Sequence, residues 1–294
     1  MPRLVVDSGM SIGKDDTSDP GDPSSMPRFH QARTSRRAAD PPRRTGFTLI
    51  EVLVVLGVIT VLIGIVIPML RGARLASLNT LDLSQLRQLG VAHLAYQATN
   101  SEHFVDVGLP HGGYGDEASS FAEVLGRYTD DIVMKSPLDT SPHWPSDVGG
   151  EGRGVEDGGA GPLRRTSYGM NNYLSRNYSP MVALYGPGHA ADRFTKVRRP
   201  EKIVCFLHMT REGDFAVSDH PHVESWSAGD EPWRLASRQI AISAAEGEEI
   251  LDPLAVSNYG MLDGSTATIQ FADVYESAQR NAFDPAARPP SAGG

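Results

Sequence analysis

The chain has one cysteine, Cys205, in 294 residues. No intrachain disulfide can form, so no oxidative cross-link holds any part of it together. Beyond residue 46 there is no Gly-x-Ser-x-Gly elbow, and the chain has no His-Glu-x-x-His, P-loop or dinucleotide-binding glycine fingerprint. No EF-hand spacing and no repeat of solenoid period is present. These absences remove the familiar routes to hydrolysis, nucleotide chemistry and metal catalysis, and we expect no enzyme. Positive charge is also scarce. Of the 27 Lys and Arg, 8 lie in the first 46 residues, as do 6 of the 36 Asp and Glu; this leaves 19 against 30 and a net charge of −11. Nucleic acid is therefore not an expected partner, because neutralising phosphates needs clusters of Lys and Arg.

What the chain does have is one long apolar run. Arg43-Arg44-Thr45-Gly46-Phe47-Thr48-Leu49-Ile50-Glu51 leads directly into it, and it ends at Leu70. Phe47 to Leu70 is 24 residues, enough to cross a bilayer, which takes about 20. Glu51 is its one charge. A carboxylate in hydrocarbon is costly, so it calls for a partner. Pro68 removes one helical donor and should bend or loosen the helix. Gly57 and Gly64 mark a helix that packs closely or melts locally. The run is longer than a secretory h-region and no Ala-x-Ala site follows, which excludes a secretory signal peptide. A plain signal anchor, with Glu51 snorkelling to the headgroups, does not require Gly-Phe-Thr-Leu-Ile-Glu. Arg33, Arg36, Arg37, Arg43 and Arg44 precede the span and place that end in the cytoplasm by the positive-inside rule. Arg71 and Arg74 beyond it weaken the asymmetry slightly.

Residues 46–68 closely resemble the prepilin N-terminal cleavage and methylation segment, the assembly module of type IV pilins and type II secretion pseudopilins. The resemblance implies that prepilin peptidase cuts between Gly46 and Phe47 and that Phe47 is then N-methylated. It implies that Glu51 pairs with the N-terminal ammonium of a neighbouring subunit. Opposite charges in low dielectric attract strongly, and each is expensive alone. Pro68 falls where pilin helices kink. The implied partners are the peptidase/methyltransferase, other pilin or pseudopilin subunits, an inner-membrane assembly platform and membrane lipid. The implied location is a single pass of the inner membrane, N-terminus cytoplasmic, C-terminal domain periplasmic or extracellular. Residues 1–46 are then a removable leader, with Met26 as an alternative start.

After the span, residues 71–100 read as an amphipathic helix, with Leu75, Leu78, Leu86, Leu89 and Tyr96 on one face. Asp82 and His93 interrupt that face; His93 reads as a core-edge residue. Five later features read on their own terms. Ser119–Tyr128 has the pattern of a short helix. Ile203–Leu207 is an apolar run that reads as a buried strand, with Cys205 a small core hydrophobe. Asn258–Phe271 reads as a hairpin turned at Asp263-Gly264. Gly-, Glu- and Asp-rich residues 148–162 read as a flexible loop, and 284–294 as a loose tail. Segments 84–96, 135–139, 166–174, 196–207 and 258–271 also resemble the large pseudopilin-like family with an H-x9-DG motif. Its Cys residues are missing here, and Pro253 stands where the His should be. The expected fold is α+β and pilin-like: residues 47–70 transmembrane, 71–100 continuing out, and 101–294 an exported domain in which the helix packs on a small antiparallel sheet with loop-rich insertions.

The densest set of potential ligands is Asp219-His220-Pro221-His222-Val223-Glu224. His220, His222 and Glu224 are suitable transition-metal donors, but a Zn site usually draws on several segments. A polar surface loop is the expectation. Asp106, Asp139, Asp263 and Asp273 are the carboxylates that the resemblance would offer to Ca²⁺. No cofactor is expected. Trp226 and Trp233, with Gly229 and Pro232 between them, read as core packing before a binding face. The expected function is a filament subunit; the alternative is a pilin-anchored adhesive or ligand-binding protein that enters no filament.

Overall fold

A computed structural model describes residues 46–128 and 134–291. The segment up to residue 45, with Arg33, Arg36, Arg37, Arg43 and Arg44, and residues 129–133 and 292–294 lie outside the described residues. The chain divides into two units, 1–54 and 55–294. The first contributes the start of a single long helix, α1 (Leu49–Thr99). Every residue from Gly46 to Leu70 is exposed, and the helix is long and apolar enough to cross a membrane. α1 continues through Pro68. The carbonyl that Pro68 leaves without a donor belongs to Gly64, four residues earlier, which has no side chain to crowd the ring.

The second unit begins burying α1 after Leu75. Asp82, Gln85, Leu86, Leu89, Gly90, Ala92, His93 and Gln97 face inward, at the i, i+3, i+4 spacing of one helix face. The chain then runs through loops and short turns to α2 (Phe121–Leu125), capped by Ser120, whose hydroxyl accepts from Glu123 N. It continues through β1 (Tyr168–Met170), α3 (Pro180–Tyr185), β2 (Val204–His208) and α4 (Pro232–Ser237) to β3 (Val256–Met261) and β4 (Thr266–Gln270). α5 (Phe271–Val274) and a small pair, β5 (Tyr275–Ser277) and β6 (Arg280–Asn281), follow. β1, β2, β3 and β4 pair antiparallel in that order. The fold is α+β, a long N-terminal helix on a small antiparallel sheet.

β2 is buried along its whole length because it serves two apolar clusters. Cys205 and Phe206 join Leu86, Leu89, Ala92, Phe104 and Phe121. Val204 and Leu207 join Trp226, Tyr259, Phe271 and Phe283. Cys205 is wholly buried, and burial pushes its thiol well above its ordinary value. His93 sits in the core, not at its edge, between Phe104 and Phe206 with ring centroids 5.4 and 5.6 Å away. Its Nε2 accepts from Val105 N at 3.2 Å, and Nδ1 faces the Cys205 sulfur at 3.4 Å. Burial pushes its pKa down to about 3, so the ring is neutral.

The 258–271 hairpin forms as its sequence predicts, with Gly264 at φ +83°. Phe271 leaves the strand to start α5 but stays buried. The turn also explains a buried helix glycine. A Cβ on Gly90 would lie 2.9 Å from the Gly264 Cα, so α1 and the hairpin touch backbone to backbone. Gly90→Ala should cost about 1–3 kcal/mol by overpacking, despite alanine's better helix propensity. Circular-dichroism melts check this, with Gly72→Ala, whose Cβ meets nothing within 4 Å, as the reference that carries the propensity gain alone.

Candidate functional site

The N-terminal segment is built around one local motif. Residues 46–48 precede the helix without regular structure, and α1 starts at Leu49. Thr48 O accepts from Val52 N at 3.3 Å, the first turn's bond. The Glu51 carboxylate reaches back to accept from both Thr48 N and the Thr48 hydroxyl, at 2.8 Å each. Glu51 N in turn donates to the Thr48 hydroxyl at 3.3 Å. This is a capping box: Thr48 at the cap, Glu51 three residues on, each satisfying donors that a helix start leaves open. A carboxylate near a helix N-terminus is also favoured by the helix dipole. Thr48 was missed in the sequence reading, although its Thr-x-x-Glu spacing ahead of an apolar run carries the signal. Just upstream, the Gly46–Phe47 bond is exposed and non-helical, the form in which a peptidase can bind a backbone as an extended strand. Gly57 and Gly64 each have open space where a Cβ would lie.

Residues 41–67 match the family model of the prokaryotic N-terminal methylation motif. The chain carries a prokaryotic N-terminal methylation motif. No curated protein and no solved structure matches the chain. The motif supports a pilin-like protein of the prepilin type, processed by prepilin peptidase and making pilin-type subunit interactions. With the one long apolar helix, it fits a single-pass membrane anchor.

In the second unit, the segments that the sequence reading picked out separately converge on Asp82. This carboxylate is fully buried. It accepts from Ser136, from the Tyr168 hydroxyl at 2.8 Å, from Asn258 Nδ2 at 2.8 Å, and pairs with His208 Nε2 at 2.8 Å. One donor comes from the 135–139 corner and one each from β1, β2 and β3. Burial works to raise the Asp82 pKa, but the pull of His208 and hydrogen bonds from His208, Ser136 and Asn258 outweigh it and hold it at about 2. A second buried pair starts from the same 135–139 corner: Arg164 Nε meets Asp139 Oδ2 at 2.8 Å. Arg164 also donates to the carbonyls of Thr210 and Met209, and Asp139 accepts from Trp144 Nε1 and Ser167. Both centres are saturated by protein groups, which makes them fasteners of the fold.

The Asp219–Glu224 segment is not a surface loop. Asp219 and His220 are fully buried. The Asp219 carboxylate accepts from Gly108 N and Leu109 N and faces His220 Nδ1 at 2.9 Å. The acid pins the 108–109 backbone, and that burial carries His220 inward. His222 meets Glu224 at 3.2 Å at the surface. Among the described residues no group of three His, Cys, Asp or Glu is placed to hold a metal ion. Of the four aspartates named for Ca²⁺, Asp106 accepts from Ser175 and Asn177, Asp139 is taken by Arg164, and Asp263 accepts from Ser265. Trp226 is wholly buried against Phe271, Tyr275 and Phe283.

Proposed function

We propose that this chain is a structural, non-enzymatic pilin-like subunit of a type II secretion pseudopilus or a type IV pilus-like filament. The peptidase removes residues 1–46, Phe47 is N-methylated, and residues 47–70 hold the product in the inner membrane. The arginine flank keeps the leader in the cytoplasm and puts residues 71–294 on the far side. Subunits are then drawn from the membrane by an assembly platform, helix against helix, with Glu51 of one subunit paired to the Phe47 ammonium of the next and Pro68 as the weak point of the helix. The observation that carries this reading is the coincidence of the methylation motif at 41–67 with a wholly exposed apolar helix start. So large an apolar surface needs lipid or other helices to cover it. The likeness of residues 84–96, 135–139, 166–174 and 258–271 to the H-x9-DG pseudopilin-like family agrees with it. That family's His is Pro253 in this chain, so no role is assigned to that position.

The deciding experiment is the mass of the N-terminal peptide of protein recovered from its own membranes. A peptide beginning at methylated Phe47 is expected. One that retains Arg44 and Gly46 would make 47–70 an ordinary anchor and remove the filament reading.

A further inference from the structure

The scarce positive charge of this chain is concentrated in one place. A cavity of about 660 Å³ opens beside the start of β2, and Lys196, Arg198, Arg199, Lys202 and Arg288 line it. These are 5 of the 19 cations beyond residue 46, against a single lining carboxylate, Asp284. Lys196 is engaged: it meets Asp192 at 2.8 Å and donates to the carbonyls of Gly188 and Ala190. Arg198, Arg199, Lys202 and Arg288 form no ion pair among the described residues. Asp284 forms no ion pair with them among the described residues, and its carboxylate accepts from Ala286 N at 2.8 Å.

The walls of this cavity are fixed. Short 3-10 turns at Phe194–Lys196 and Pro200–Lys202 set one side. On the other, Arg288 N donates to Gln279 O and its carbonyl accepts from Asn281 N, both at 2.9 Å. Asp284 N is held by Asn281 Oδ1 at 2.7 Å. Tyr173 and Ile203, both buried, give the cavity an apolar floor. These four are exposed at the cavity's rim, where water screens their mutual repulsion, and a multiply charged anion is the partner that can meet several of them at once. Guanidinium groups meet oxyanions through paired N–H donors, and the volume is that of a small-molecule site.

We infer that this cavity binds a small, multiply charged oxyanion, a compact molecule with two or more phosphoryl or carboxyl groups whose body rests on Tyr173 and Ile203. The site does not depend on filament assembly, and its failure would leave that reading untouched.

The test is calorimetric titration of the full chain in neutral detergent at constant ionic strength. The probes are inorganic pyrophosphate, citrate and, as a neutral reference, sucrose. Saturable 1:1 binding of pyrophosphate or of citrate is expected with a Kd below about 1 mM, and the stronger of the two identifies the phosphoryl or carboxyl source. Arg199→Ala and Arg288→Ala should each weaken it about tenfold or more, while Arg153→Ala, on a surface pair with Glu151, leaves it unchanged. Melting of the unliganded variants at the parent temperature confirms that they fold. Either of two results would overturn the inference: no saturable heat with either anion, or equal binding by Arg288→Ala.

Discussion

Glu51→Gln should yield a precursor that is cut normally between Gly46 and Phe47 and then fails to enter filaments, with incorporation down about tenfold or more. The glutamine variant is more telling than alanine because Glu51 has two partners to choose between. Before cleavage its carboxylate accepts from Thr48 N and the Thr48 hydroxyl, so its charge is already met by its own helix start. Glutamine serves a capping box as well as glutamate does. Glu51→Gln therefore keeps the cap and removes only the charge that would meet the ammonium of a neighbouring Phe47. Thr48→Val does the reverse, removing the cap hydroxyl and keeping the charge. If pairing between subunits is the role of Glu51, Thr48→Val assembles and Glu51→Gln does not. Filaments sheared from cells and blotted for the subunit, beside the membrane pool as a measure of cleavage, give both readings. Normal incorporation of Glu51→Gln would sink the pairing, and failure of Thr48→Val alone would assign the role to the cap.

Much of this architecture was legible because it is local. The 24-residue apolar run, the leucines of 75–89 and the Asp263-Gly264 turn each follow from spacing within a few residues. Asp82 was legible as an interruption of an apolar face, but its meaning was not. Its partners lie 54 to 176 residues away in sequence, and no local pattern encodes such a distance. The same holds for Asp219. An acid-rich hexapeptide looks solvated until the 108–109 backbone, 110 residues upstream, is seen to need its carboxylate. At the N-terminus the reverse happened. The apolar run around Glu51 points to a partner between subunits, while the simpler partner, Thr48, lies three residues away in the same chain. The cations at 196–202 stand together in the sequence, but Arg288, which closes the cavity opposite them, is brought there by its backbone pairing with Gln279 and Asn281.

Asp82→Ala should leave the apolar helix start intact and unfold the domain that follows it. The substitution leaves the Tyr168 hydroxyl, Asn258 Nδ2, Ser136 and His208 Nε2 facing a buried void with no acceptor. Breaking one partner of a buried charged network costs about 3–5 kcal/mol, a large share of the roughly 5–15 kcal/mol that holds a domain together. Asp82→Asn keeps the volume but offers donors to a ring of donors, so it should also melt lower. The pH dependence separates charge from packing. The folded Asp82 pKa is about 2, below the roughly 3.9 of an unfolded aspartate. Its contribution is thus fully present above about pH 4 and is lost as pH falls towards 2. His93 acts earlier. Its folded pKa of about 3 lies below the unfolded value of about 6.5, so the unfolded chain takes up that proton first and stability declines from about pH 6.5 downward. The parent protein should lose melting temperature in both windows, and Asp82→Asn should lose less of it below pH 4, where Asp139, Asp192 and Glu224, whose carboxyls are also held low, still titrate. Melts of the detergent-solubilised chain from pH 7 to pH 2 resolve the two. An unchanged slope below pH 4 in Asp82→Asn would show that the carboxylate is not the group that fastens α1 to the sheet.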